Sequence, residues 1–377
     1  MKILIITECL AGGVLTYLNN ICDEFDKEKN QISIIYSPKE QTPPLELLRN
    51  KFGENVELNM VKFRRKNPKD YFKLYNYYKN CINNFQPDIV HYHSTFSGAI
   101  GRIINALSKK HEKIHTFYTP HGYSFLKMDN NLVVNKLFLY LEKVLAKLDK
   151  ETITLPISMS EYKYSLQLTE KTVLVSTGIN SKLIDKITES INNADYSTPV
   201  IVSLGRLSNQ KNPKLFLDIA LACKEKGLRV KFLWIGDGEL RGFVENFIKE
   251  KQLNGYVEIL GWLPYEKAIK RLKQEGTIYI QTSLWEGLPL TILEAMYLRK
   301  PVIVNNAPGN IDPIIHGENG YIGKSVSDFV NYIENLINDK ELYRKLSYKA
   351  KCKVNEEYLM EKNVLLLAEQ YNKVNNK

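Results

Sequence analysis

Short, continuous apolar runs alternate with helix-length segments along most of the chain. KILIIT (2–7), ISIIY (32–36), DIVHYH (88–93), KIHTFY (113–118) and TITLPIS (152–158) form one series. VIVSLG (200–205), VKFLWIG (230–236), YVEIL (256–260), TIYIQT (277–282) and PVIVNN (301–306) form a second. Helical patterns lie between them, as at 13–26, 97–108, 212–226 and 240–252. An apolar run without polar alternation must be covered on both faces, which is the situation of a strand in a parallel sheet flanked by helices. The alternation therefore predicts an α/β chain, and two series predict two doubly wound, Rossmann-like domains. A length of 377 residues fits two cores better than one. The expected break falls around 183–199, in the polar stretch SKLIDKITESINNADYSTP, giving domains of 1–183 and 198–355. A last helical pattern within 356–377 is expected to pack back on the first domain.

Several classes are excluded by what the runs are embedded in. The five cysteines (9, 22, 81, 223 and 352) have no CxxC pair and no zinc-like spacing, so they read as free thiols of a reducing cytoplasm. MKILIITECL fits a first strand better than a secretory signal. No uncharged stretch approaches the roughly 18 apolar residues of a membrane span. The net charge of +10 is uneven: residues 51–150 hold 17 Lys and Arg against 8 Asp and Glu. Such a basic region suggests an anionic partner.

In open parallel sheets ligands bind beyond the carboxyl ends of the strands, so the segments following each run carry the functional expectation. After 277–282 comes SLWEGLPLTILEAM (283–296), with Gly287, Leu288 and Pro289 forming a turn and a helix starting near Leu290. A helix N-terminus offers unpaired N–H groups and a positive dipole end to a phosphate. Glu286 before the helix and Glu294 inside it can each accept hydrogen bonds from vicinal hydroxyls of a sugar or ribose. Taken singly, each Glu reads more readily as a solvated surface acid. Arg206 and Lys211, after 200–205, can clamp a diphosphate, the first as a planar fork and the second as a point charge. Gly12 and Gly13 follow the first strand and allow close backbone approach. Gly236, Asp237 and Gly238 shape a turn after 230–236. Trp262 and Leu263 can line a base pocket. His121, beside Gly122, reads on its own as structural, as do His91 and His93.

Together these segments resemble the family-4 retaining glycosyltransferases, whose GT-B fold implies two Rossmann-like domains facing each other across a cleft. The resemblance is carried by E-x7-E in EGLPLTILE (286–294), GRLSNQKN (205–212), IGDGELR (235–241), PVIVNNAPGNIDPIIHGENGYI (301–322), AGGVLTYL (11–18) and TPHGYSF (119–125), which occur in the family's order. It implies transfer of a sugar from a nucleotide-sugar, expected to be a UDP-sugar, to an acceptor hydroxyl, with a bacterial surface-polysaccharide type of product. Arg206 and Lys211 would neutralise the departing diphosphate, Glu286 would hold the donor sugar, Glu294 the ribose, and His121 would touch the sugar near the reacting carbon. Gly12, Gly13, Gly236, Trp262, Leu263, Gly287, Leu288 and Leu290 would complete the donor site. The sequence departs from the family at Pro308-Gly309-Asn310-Ile311-Asp312 and at Ser176-Thr177-Gly178-Ile179-Asn180. No D-x-D stands where a divalent cation would be held, so metal-independent chemistry without a resident cofactor is expected. Rival readings are an epimerase of the same fold and a non-catalytic nucleotide-sugar-binding subunit.

VKFRRKNPKDYFKLYNYYKN (61–80) mixes cations with aromatics and reads evenly as a plain solvated face or as a contact with an anionic membrane surface, where a lipid-linked glycan acceptor would lie; no nucleic-acid motif competes. NKLFLYLEKVLAKLDK (135–150) is similarly amphipathic and offers the same membrane reading, but a packed core helix is the favoured one. The protein is thus expected at the cytoplasmic face of the cell membrane.

Overall fold

The computed structural model describes the chain apart from residues 28–29, 40–41, 64–67, 108–113, 129, 192–197 and 376–377. Arg64, Arg65, Lys66 and Asn67 of the basic stretch, Lys113 at the head of an expected strand, and residues 192–197 of the expected break lie outside the described residues. The chain divides into two compact units. The first comprises Met1–Leu126, Asn130–Thr177 and Met360–Lys377; the second comprises Lys127–Asp129 and Gly178–Leu359.

The first unit runs β1 (Lys2–Thr7), α1 (Gly12–Lys27), β2 (Gln31–Tyr36), α2 (Leu45–Phe52), β3 (Val56–Met60), α3 (Pro68–Phe85), β4 (Ile89–His93), α4 (Thr95–Leu107), β5 (His115–Thr119), α5 (Leu132–Leu148), β6 (Ile153–Thr154) and α6 (Met159–Leu166). Its sheet has the order β3-β2-β1-β4-β5-β6, all parallel. β1 lies centrally, with Ile3 opposite Ile32 on one side and Ile89 on the other. Residues 3–7 are all buried, as a strand covered on both faces requires.

The second unit runs α7 (Ser181–Thr188), β7 (Val200–Leu204), α8 (Pro213–Glu225), β8 (Lys231–Ile235), α9 (Arg241–Glu250), β9 (Val257–Ile259), α10 (Tyr265–Gln274), β10 (Ile278–Gln281), α11 (Leu290–Tyr297), β11 (Val302–Asn305), β12 (Tyr321–Gly323), α12 (Val326–Asn338) and α13 (Lys340–Glu357). Its order, β12-β11-β10-β7-β8-β9, repeats that of the first sheet. Phe216, Phe232 and Trp234 meet edge to face in its core, with ring centroids 5.1–5.4 Å apart, a favoured aromatic arrangement. The chain then enters α14 (Met360–Asn375), which belongs to the first unit. There Tyr371 is fully buried, stacked on Phe25 and bonded through its hydroxyl to His91 Nδ1 at 2.6 Å.

Both predicted series of strands are present. β3 and β12 were not expected, because VELNM and YIG are too short and mixed in polarity to show a run. TITLPIS yields only a two-residue strand, since Pro156 has no N–H to continue the ladder. The helix expected from 356 starts at Met360, because α13 continues to Glu357.

Two segments differ from expectation in which of their side chains are buried. In the 61–80 stretch Phe63, Leu74 and Tyr78 are core residues, with Tyr71, Tyr75 and Tyr77 packed against them. Of its described aromatics only Phe72 is largely exposed. The 135–150 segment, expected to be a core helix, instead turns a row of apolar side chains outward along α5. Its inward side carries Glu142, whose carboxylate accepts from Arg102 Nη2 at 2.7 Å and from the Tyr118 hydroxyl at 3.1 Å. Hydropathy shows which side of a helix is apolar; it does not show that a buried arginine on a neighbouring helix demands the acid.

Candidate active site

In the second unit the chain moves from β7 to one side of the sheet and returns to β10 on the other. Helices therefore leave these adjacent strands in opposite senses, opening a crevice beyond their carboxyl ends. Three loops meet there. After β7, Leu284 N donates to Gln210 O (2.8 Å), the Thr282 hydroxyl donates to Lys211 O (2.8 Å), and Gln210 Nε2 donates to Trp285 O (3.0 Å), joining the 205–212 loop to the loop after β10. From the loop after β11, Pro308 O accepts from Glu286 N at 3.1 Å. Asn305 and Asn310 both donate to Ser283 O, at 3.1 and 2.9 Å.

These loops set the predicted Lys211 and Glu286 against each other. Lys211 Nζ lies 2.6 Å from Glu286 Oε1, and Gln210 Nε2 lies 3.3 Å from Oε2. The side chains are 19% and 12% exposed, so the pair is shielded and each charge needs the other. Gly309 holds this corner together. Its φ is +81°, and a Cβ there would overlap the carbonyl oxygen of Glu286. Asn212, also left-handed at φ 51°, caps α8 by accepting from Leu215 N, and Pro213 opens that helix.

Arg206 reaches across the mouth of the same crevice to Glu239, with Nη2 3.0 Å from Oε2, and both side chains are about half exposed. The 236–239 loop approaches so closely that a Cβ at Gly236 would overlap Gly205 O. Gly236 N in turn donates to Gly261 O at 2.9 Å, which brings the following Trp262 and Leu263 beside that loop. Trp262 is 73% exposed, an aromatic face open for stacking.

Gly287 and the buried Leu288 lead into Pro289 and Leu290 at the start of α11. This N-terminus has neither a capping side chain nor an acid in its first turn, so its N–H groups face no competing anion from those positions. α11 is apolar nearly all round and buried, which encloses Glu294 at 5% exposure. Burial pushes the Glu294 carboxyl up to about 7 against the opposing hydrogen bond from Tyr265.

The first unit contributes a second cluster. Gly12 (φ +55°) and Gly13 open α1 after β1, and a Cβ on either would meet open space. His121 follows β5 in the left-handed region (φ 53°), with Nε2 2.9 Å from His93 Nδ1. Tyr17 meets His121 edge on, with centroids 5.0 Å apart. His91, with Nε2 2.9 Å from the Thr119 hydroxyl, lies against His93 at 3.9 Å between centroids. Burial lowers His121 to about 3 and His91 and His93 well below the usual imidazole range, so all three are neutral near pH 7. The turn is fixed by Glu161, whose carboxylate accepts from Gly122 N and, at 3.0 Å, from Ile157 N.

Sequence reasoning missed Gln210, Glu239, Tyr265, Asn310 and Glu161, and it assigned His93 no contact with His121. Glu161 was readable in part: Ser158-x-x-Glu161 has the spacing of a capping box, and Ser158 does accept from Glu161 N. The acid's use elsewhere was not. Among the described residues no group of three His, Cys, Asp or Glu is placed to hold a metal.

Two family descriptions match the chain: "Glycosyl transferases group 1" over residues 185–353 and "Glycosyl transferase 4-like" over residues 9–155. The chain is a family-4 glycosyltransferase of the GT-B fold. It is similar to the UDP-Gal:alpha-D-GlcNAc-diphosphoundecaprenol alpha-1,3-galactosyltransferase of Escherichia coli, with 28% identity over 73% of this chain and 72% of that one. Among solved structures, the sucrose-phosphate synthase of Thermosynechococcus elongatus superposes with a TM-score of 0.82 at 16% identity over 99% of both chains. Anabaena HepE, solved in complex with UDP, superposes with a TM-score of 0.77 at 17% identity over 99% of this glycosyltransferase and 100% of HepE.

Proposed function

We propose that this glycosyltransferase moves a hexosyl or N-acetylhexosaminyl group from a UDP-sugar to a hydroxyl of a lipid-linked glycan, with retention of anomeric configuration, in capsule, O-antigen or exopolysaccharide synthesis. The observation that carries the reading is the Lys211–Glu286 pair set beside the uncapped start of α11 at the switch point of the second sheet. A donor needs a cation and backbone N–H groups for its diphosphate, and an acceptor of hydrogen bonds for its sugar. Lys211, the N–H groups of Gly287, Leu288 and Leu290, and Glu286 are those groups. The E. coli relative is named for a UDP-sugar donor and a diphosphoundecaprenol acceptor, and HepE was solved with UDP.

Lys211 Nζ and Glu286 Oε1 are paired at 2.6 Å. The donor exchanges this contact for two: Lys211 moves its charge to the phosphates, and Glu286 accepts from sugar hydroxyls. Arg206 exchanges Glu239 for the same diphosphate. As the bond from the anomeric carbon to the phosphate oxygen breaks, negative charge grows on the leaving group, where these cations and N–H groups stabilise it. The acceptor oxygen attacks from the same face, and its proton passes to the departing phosphate oxygen. No protein nucleophile is needed. Glu294 accepts from the ribose, Trp262 and Leu263 flank the base, with Gly236 opposite, and Gly12, Gly13 and His121 belong to the face that meets the sugar and acceptor. The cations and N–H groups take the role a divalent ion would otherwise fill, so the reaction proceeds without added metal.

Thermal unfolding with UDP, GDP, ADP and their sugars, in the presence of EDTA, tests this reading. A ligand at about 100 times its Kd stabilises by roughly 2.7 kcal/mol. A shift selective for UDP and one UDP-sugar is expected; no shift with any nucleotide would overturn the donor assignment.

A further inference from the structure

The apolar side chains that α5 turns outward form one continuous stripe. Val133, Leu137, Tyr140, Leu141, Val144 and Leu148 are all exposed, with Val133 at 75% and Tyr140 at 63%. Their spacing of i, i+4, i+7, i+8, i+11 and i+15 places them on a single face at 3.6 residues per turn. Lys136, Lys143 and Lys147, also exposed, fall in a row along one edge of that stripe. The opposite side of the helix is committed to the protein: Leu145 and Ala146 are buried, and Glu142 is locked to Arg102 and Tyr118. Glu142 is the sole acid of α5, so its exposed side offers apolar groups and cations and no carboxylate.

We infer that α5 is a membrane-docking helix, which lays its apolar stripe into the interface of an anionic bilayer with Lys136, Lys143 and Lys147 reaching to the headgroups. A contiguous apolar stripe of this extent on a water-soluble surface marks an interaction site. The charge pattern selects the partner. A lysine row on one edge allows the stems to lie along the apolar boundary while the ammonium groups stay at the phosphate level. A protein partner would need only a matching apolar groove and gives no reason for this single-signed edge. The surroundings agree, since residues 51–150 hold 17 Lys and Arg against 8 Asp and Glu. α3, α4 and α5 pack in succession, and Leu107 at the end of α4 is 66% exposed. No helix among the described residues is long and apolar enough to cross a membrane, so docking is by partition into the interface.

The inference deepens the proposed lipid-linked acceptor and rests on it for the direction in which the enzyme faces. Vesicle binding is measured without sugar donor, so failure of one does not imply failure of the other. The full chain would be floated with phosphatidylcholine vesicles containing or lacking phosphatidylglycerol. Partition onto the anionic vesicles is expected. The combination Lys136→Ala, Lys143→Ala and Lys147→Ala should weaken it on the order of a hundredfold. Leu137→Asp with Val144→Asp should abolish it, while an unchanged thermal transition by circular dichroism shows the fold intact. Phe72→Ser on α3 should bind as wild type. The inference is overturned if wild type ignores anionic vesicles, or if the α5 variants bind unchanged. It is equally overturned if wild type is a dimer by light scattering that Leu137→Asp with Val144→Asp turns into monomers, since the stripe would then join two copies of this chain.

Discussion

Glu286 and Glu294 stand eight positions apart in sequence and in opposite surroundings. Glu286 faces Lys211, with Nζ 2.6 Å from Oε1. Glu294 is enclosed by α11, and burial lifts it to about 7 from 4.5. Removing Glu286 as Glu286→Gln keeps the shape and the hydrogen bond from Gln210 but loses the ion pair; transfer should fall by on the order of 10²–10³-fold, measured with the purified donor, while UDP still raises the melting temperature. Lys211→Met should weaken UDP itself, because it deletes the charge expected to meet the diphosphate. Glu294 carries a pH dependence. Its folded value is raised, so the folded state holds the proton more tightly, and stability contributed by the neutral acid is present below about pH 4.5 and lost as pH rises toward 7. Nucleotide affinity should run the other way, rising with pH through about 7 as the carboxylate forms, and Glu294→Gln should flatten that profile in calorimetric titrations. The acids and cations of the site were legible in the sequence because charge after a strand's carboxyl end is conspicuous. Glu239, Gln210 and Asn310 were not legible, since their partners come from loops 27 to 76 positions away.

At the level of elements, the glycine at 309 shows how a loop can position an active residue without touching substrate. Gly309→Ala would drive a methyl group into the Glu286 carbonyl from a backbone already at φ +81°. The loop after β10 must then move, and activity should fall more than stability, a contrast that kinetics and thermal melts on one preparation would show. The strand series were readable because both faces of each strand are buried, and this leaves continuous apolar runs. α3 and α5 were misread for a common reason. The Tyr-rich side of α3 is needed to cover the sheet, with Tyr78 only 2% exposed, whereas α5 is held by an internal ion pair and can leave its apolar side out. Hydrophobicity locates a face; the choice between core and surface is made by neighbours far along the chain.

At the level of the whole molecule, the two sheets share one strand order but have separate cores. Calorimetry should resolve this: UDP should raise the transition of the second unit, and Tyr371→Ala, which removes a fully buried ring and its bond to His91, should cost the first unit about 3–5 kcal/mol. A single transition moved by both would contradict independent cores. The placement of α14 adds a constraint in time. Residues 360–377 are synthesised after every residue of the second unit, so a growing chain possesses all of its donor-site unit before it possesses all of the unit that began it. Until α14 arrives, Phe25, His91 and Phe117 lack the aromatic ring that covers them. The side of the N-terminal sheet under Tyr371 therefore stays incompletely covered until the last helix is made, an apolar surface that a chaperone would shield while translation proceeds.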